Sequence, residues 1–131
     1  MTRRAIITAS APKPNGTYSQ AIVASGELVF ISGQTARLLD GTRLQNVPFA
    51  EQARKVLENL NAVAGAAGLS LKDAVKVTVY LRDPTDNVEF DRVYAEFVAA
   101  PPPARTLVQS GFVGFDVEVD AILAAPVTRE R

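Results

Sequence analysis

Residues 74–83, AVKVTVYLRD, alternate without interruption: Val75, Val77, Val79 and Leu81 on one side, Lys76, Thr78, Tyr80 and Arg82 on the other. A period of two marks a strand with one covered face. The stretches flanking it run to another period. From Pro48 to Gly68, Phe49, Ala53, Val56, Leu57, Leu60, Val63, Ala64 and Ala67 recur at three- and four-residue steps among polar residues. That pattern predicts an amphipathic helix with one buried face. After the strand, Asp86 or Asn87 caps a second helix, with Glu89 completing a capping box from Asp86. Phe90, Val93, Tyr94 and Phe97 form its apolar stripe, and AAPPPA ends it, because proline neither donates to the helix ladder nor tolerates a helical predecessor. A strand held between two helices, each leading on to a strand, requires crossovers that lay both helices on one face of a sheet.

The remaining segments read as strands and turns. RRAIITA, residues 3–9, is a first strand, and APKPNGTYSQ is an ordered loop dense in Pro, Asn and Gly. AIVASGELVFISGQTA reads as a hairpin about Ser25-Gly26-Glu27. Asp40-Gly41 is a turn that folds back another short strand, and ARTLVQS and FDVEVDAILAA are the last two strands. The order β-β-(β)-α-β-α-β-β describes an α+β chain, one domain over residues 1–131, without internal repeats or linker-like shifts in composition. The sheet face away from the helices carries Thr78, Tyr80 and similar residues. Such a mixed face suits either a second subunit or solvent.

Composition narrows the chemistry. The chain has no His, Cys or Trp, so thiol catalysis and disulfides are excluded and zinc sites are disfavoured. Fourteen basic and fourteen acidic residues cancel, and neither chain end carries more than a short basic pair, which argues against a nucleic-acid partner. The apolar run near the N-terminus is too short for a signal peptide, and no later run could span a bilayer. The expectation is a soluble, cytoplasmic protein that does not engage membranes.

Against that background PPPARTLVQSG stands out, because it places a permanent cation, Arg105, in a run that alternates as a strand with Leu107 and Gln109. In the last strand Asp116, Glu118 and Asp120 share a face, neighbouring carboxylates lying roughly 7 Å apart. Two readings of Arg105 follow. It makes an ion pair across the sheet with those acids, or it faces a pocket and offers its fork of donors to a substrate carboxylate. Rival sites are few. ISGQ, with one glycine, is no phosphate loop, and Ser32 has no His and no obvious Lys partner to activate it. Tyr80 and Tyr94 sit on patterned elements as packing residues. Tyr18 lies in the Pro/Gly-dense loop with no periodicity to explain it, and either lids a site or covers the core.

NGTYSQAI, FISGQTA, FAEQARKVLENLNAVAGAAGLSLKDAVKVTVYLRD, FDRVYAEFV, PPPARTLV and VEVDAILA occur in that order over residues 5–125. In this the chain resembles the Rid/YjgF family of reactive enamine and imine deaminases. The resemblance implies a chorismate-mutase-like α+β fold, a six-stranded mixed sheet backed by two helices on one face. It also implies a homotrimer built about a central barrel, with active sites in the clefts between subunits. The implied reaction is hydrolysis of 2-enamino and 2-imino acids, released by pyridoxal-phosphate enzymes, to 2-oxo acids and ammonia, without a cofactor. Arg105 would then clamp the substrate carboxylate and Glu118 would orient or deprotonate the attacking water. Tyr18, Ser32, Gly33, Asp91 and Leu107 fall on pocket-lining positions. The chain departs from the family in three places: Leu107 replaces a frequent cysteine, Asp91 a frequent asparagine, and Thr17 a proline. Asp91 would repel a substrate carboxylate or pair with Arg92 or solvent, and Thr17 would loosen the approach to Tyr18. Together they put the substrate range in question more than the reaction type. The alternative function on the same trimeric fold is a regulator that binds a small carboxylate, such as a 2-oxo acid, without turnover. It would need Arg105 but not Glu118. An endoribonuclease reading fits the balanced charge poorly.

Overall fold

The computed structural model describes residues 3–111 and 114–126. The elements run β1 (Arg3–Ile6), β2 (Ala21–Ala24), β3 (Leu28–Gln34), α1 (Phe49–Ala66), β4 (Ala74–Leu81), α2 (Asn87–Tyr94), β5 (Ala104–Gln109) and β6 (Val117–Ala124). Among the described residues no helix is long and apolar enough to cross a membrane.

The main sheet has four strands in the order β3-β6-β4-β5. β6 runs antiparallel to both of its neighbours, and β4 and β5 are parallel, as a helical crossover requires. Both helices pack on one side. Ala53, Val56, Leu57, Leu60 and Ala64 of α1 and Phe90, Val93 and Tyr94 of α2 are buried with Val77, Val79 and Leu81 of β4 and Val117, Val119, Ala121 and Leu123 of β6. Fully burying a side chain such as Leu57 or Leu60 contributes about 1.5–3 kcal/mol, so the three- and four-residue spacing of α1 supplies much of the core.

Among the described residues there are six strands, but they do not form the expected single six-stranded sheet. β1 and β2 make a separate two-stranded ladder, joined to the main sheet by an isolated parallel bridge between Ser19 and Ala104. Polar contacts hold this arm in place. The Ser19 N–H donates to the Pro103 carbonyl at 3.1 Å, and its hydroxyl to that of Pro102 at 2.5 Å. The Arg3 guanidinium donates to the carbonyls of Ala74, Ala99 and Pro101.

Nor is there a β2–β3 hairpin: β2 pairs with β1 and β3 with β6. The reason is ladder length. β6 offers β3 eight residues with a buried face, whereas β2 has only four. Gly26, at φ 117°, turns the chain between the two ladders, and a Cβ there would collide with the Ala125 carbonyl. Gly26→Ala is therefore expected to destabilise the fold by about 2–3 kcal/mol, visible as a lower midpoint in urea unfolding.

Smaller corrections have local causes. The strand expected after Asp40-Gly41 is reduced to one Arg37–Arg43 bridge, and Leu38 and Leu39 there stay exposed rather than joining the core. A register shift between Ala74 and Lys76 moves the start of β4 out of phase, so Ala74 rather than Val75 is buried with Val77. The second helix is preceded by a single 3-10 turn, Pro84–Asp86, capped by Asp83, whose carboxylate accepts from the Thr85 N–H at 2.9 Å. Asp86 makes no side-chain cap bond. α2 ends at Tyr94, and Phe97 packs on the core from the turn that follows.

Candidate active site

β5 carries Arg105 on the edge of the main sheet. Arg105 stands in register with Val77, which is buried under the helices, so its side chain lies on the helix side, against α2. It is 8% exposed. Its guanidinium carbon sits 5.4 Å from the centre of the Tyr18 ring and 5.1 Å from that of Tyr94, within the range of cation–π attraction. Two aromatic faces thus fix a side chain that would otherwise sample many rotamers. Tyr94 serves beyond packing here, and burial raises the pKa of its phenol, keeping it neutral.

Arg105 does form an ion pair, though not with the acids of β6. β4 separates β5 from β6, so none of Asp116, Glu118 and Asp120 is a cross-strand neighbour. The partner is Asp91 of α2, whose Oδ1 accepts from Nη1 at 2.6 Å. Asp91 pairs neither with Arg92 nor with solvent alone. It also accepts from the Thr17 N–H at 3.0 and 3.2 Å and from the Thr17 hydroxyl at 2.8 Å. Burial pushes its pKa up, but the hydrogen bonds from Arg105 and Thr17 outweigh burial and hold it below the usual carboxylate value. Asp91 is therefore an anion at neutral pH.

Thr17 corrects a second expectation. It fastens the approach to Tyr18 rather than loosening it, and proline, which has no N–H, could not make the backbone contact. Asp91 and Thr17 act as a pair: the carboxylate that departs from the family pattern is met by the N–H and hydroxyl that also depart from it.

These residues surround a cleft of about 440 Å³ lined by Asn15, Gly16, Tyr18, Asn87, Val88, Asp91, Arg105 and Leu107. The Tyr18 hydroxyl donates to Asn15 Oδ1 at 3.0 Å and accepts from the Asn15 N–H at 3.3 Å, holding the ring at the cleft. Asn15 and Val88 have no sequence pattern that would have singled them out, and Asn87 was legible only as a helix cap. Among the described residues lining the cleft, Asp91 and Arg105 are the only charged ones.

The other expected site residues lie elsewhere. Glu118 stands in register with Tyr80 and alternates with the buried Val117 and Val119, so it lies on the sheet face opposite Arg105. Gly33 is beside it: a Cβ at Gly33 would collide with the Glu118 carboxylate. The β3–β6 register is irregular between Ile31 and Gln34, and Ser32, in that irregular stretch, is exposed. Tyr18, Asp91, Arg105 and Leu107 thus form one group and Ser32, Gly33 and Glu118 another, with the sheet between them. Around the second group the face is partly apolar. Phe30, 69% exposed, stands opposite Ile122, and Leu28 and Val108 are exposed as well. Among the described residues no cluster of acids could hold a metal ion.

The family model described as Endoribonuclease L-PSP matches residues 8–125. A RutC family protein of Pyrococcus horikoshii is 43% identical over 122 residues, which span 92% of this chain and 96% of that one. Among solved structures, RidA from the Antarctic bacterium Psychrobacter sp. is 40% identical, with a TM-score of 0.70 over 93% of this chain and 99% of its own. TdcF of E. coli with bound serine is 33% identical, with a TM-score of 0.68 over 94% and 99%.

Proposed function

The chain belongs to the Endoribonuclease L-PSP family, that of the Rid/YjgF proteins, and on that premise we propose that it is a cofactor-independent deaminase of reactive 2-enamino and 2-imino acids. The observation that carries this reading is the setting of Arg105. A guanidinium fixed between two aromatic rings, beside the apolar Leu107 and at the wall of a cleft of about 440 Å³, is built to hold one end of a small carboxylate. A relative's structure contains bound serine, a ligand of this size with a carboxylate at one end.

The chemistry asks little of the protein. An enamine tautomerises to the imine, whose protonated form has an electrophilic C2. Water adds to C2, the C–N bond of the resulting carbinolamine breaks, and a 2-oxo acid and an ammonium ion leave. Neither redox change nor a covalent protein adduct is involved. Positioning of the carboxylate and placement of charge supply the acceleration, with Glu118 the base that orients and deprotonates the water.

Arg105 and Glu118 lie on opposite faces of one sheet, so both serve one site only if Glu118 comes from a second copy of the chain. This favours a homotrimer with composite sites, its subunits meeting through the sheet face that exposes Phe30, Leu28 and Val108.

The test is a coupled assay in which a threonine dehydratase or an amino-acid oxidase generates the imine in situ. Appearance of the 2-oxo acid is followed with and without this protein. Acceleration is expected. Its absence across short, branched and aromatic imines would replace the deaminase reading with a binder of small carboxylates.

A further inference from the structure

A clamp for a carboxylate would ordinarily be cationic, and this one is not. Arg105 is matched charge for charge by Asp91 at 2.6 Å, and the other residues lining the cleft are uncharged. A ligand entering here meets a dipole, with its positive end at Arg105 and its negative end at Asp91. The Asp91 side chain retains 26% exposure. Three donors meet it in four contacts: Arg105 Nη1 and the Thr17 N–H on Oδ1, and the Thr17 hydroxyl and, at a longer 3.2 Å, the same N–H on Oδ2. The carboxylate's exposed edge is what it presents to the cleft it lines. On the other side, Nη1 is the only Arg105 nitrogen with a hydrogen-bond partner among the described residues. The seam between the two groups is left open at Gly16, where a Cβ would stand 3.3 Å from Arg105 Nη2 and 3.5 Å from Asp91 Oδ1.

We propose that Asp91 selects the charge of the ligand: the cleft takes a zwitterion, a carboxylate next to a protonated nitrogen, in preference to a bare 2-oxo monoanion. The carboxylate lies on the free donors of Arg105 and the protonated nitrogen faces the exposed edge of the Asp91 anion. This rests on the deaminase reading for its biological sense. The substrate as an iminium carboxylate carries both charges, whereas the product has lost the positive one and is left facing Asp91. Charge opposition at a few ångströms in a partly buried cleft changes binding by more than tenfold, so the residue that helps to admit the substrate also expels the product.

The test needs no turnover. L-2-aminobutyrate and 2-oxobutyrate share a skeleton and differ at C2, and each is titrated calorimetrically at neutral pH into the intact protein and into Asp91→Asn. The wild type is expected to bind the amino acid about tenfold or more tightly than the oxo acid, and Asp91→Asn to reduce that ratio at least tenfold, mainly by tightening the oxo acid. Were Asp91 only a support for Arg105, the substitution would weaken both ligands alike and leave the ratio unchanged, which would overturn the proposal. Equal binding, an oxo-acid preference, or no binding of the amino acid by the wild type would overturn it without recourse to the variant. A protein that prefers the amino acid yet hydrolyses no imine would sink the deaminase reading and leave this one standing. Imine hydrolysis without the preference would do the reverse.

Discussion

Arg105→Ala is expected to lower kcat/KM for imine hydrolysis by about a thousandfold or more in a protein that still folds. Two losses combine. The donors for the substrate carboxylate disappear, and Asp91, formerly neutralised, leaves the cleft with an uncompensated negative charge that repels the same carboxylate. Thr17 still donates to Asp91 through its N–H and hydroxyl, so the carboxylate is not stranded. The stability cost should stay near 1–2 kcal/mol. Arg105→Lys should recover only part of the activity, because an ammonium lacks the planar fork and stacks poorly between Tyr18 and Tyr94. Steady-state kinetics alongside a urea unfolding curve separates the effects. A collapse of folding with no change in specific activity of the folded fraction would make Arg105 a structural ion-pair partner only.

Glu118→Gln is expected to reduce kcat by about a hundredfold to ten-thousandfold while leaving the affinity for L-2-aminobutyrate within about twofold of the wild type. The asymmetry follows from placement. Glu118 shares neither the cleft of its own chain nor its charge pair, so binding at Arg105 should not depend on it, whereas water activation should. The side chain is exposed enough that the exchange costs the fold little, glutamine being nearly isosteric. Comparable loss of ligand affinity would show that Glu118 helps to hold the carboxylate-bearing ligand and would remove it from the role of base.

What sequence could and could not show follows the range of each interaction. The periods of α1 and β4 were legible because helix and strand geometry repeat over neighbouring residues. The three prolines before Ala104 marked the end of the second helical segment for the same reason. Strand pairing is not a local property. The turn at Ser25-Gly26-Glu27 was read correctly as a turn, but it says nothing about which ladder wins, and β3 took the longer partner in β6. Side-chain capping falls to Asp83, on the turn that Pro84 opens before the helix, and not to Asp86, a competition between two nearby acids that spacing alone does not resolve. The site shows the same limit most clearly. Arg105 and Asp91 are fourteen positions apart and Thr17 and Asp91 seventy-four, so their union is a product of the fold. Family resemblance marked Arg105, Tyr18, Asp91 and Leu107 individually. It gave no sign that Asp91 and Thr17 compensate one another, or that one chain holds Arg105 and Glu118 on opposite faces.

The most direct measurement is a subunit-mixing experiment. Arg105→Ala and Glu118→Gln proteins, each nearly inactive alone, are co-refolded in equal amounts and assayed for imine hydrolysis. If each site takes Arg105 from one subunit of a closed ring and Glu118 from the next, about one quarter of the sites regain both residues, and activity should rise to about that fraction of the wild type. A mixture that stays at the level of the separate variants, beside an active wild-type control, would contradict the composite site.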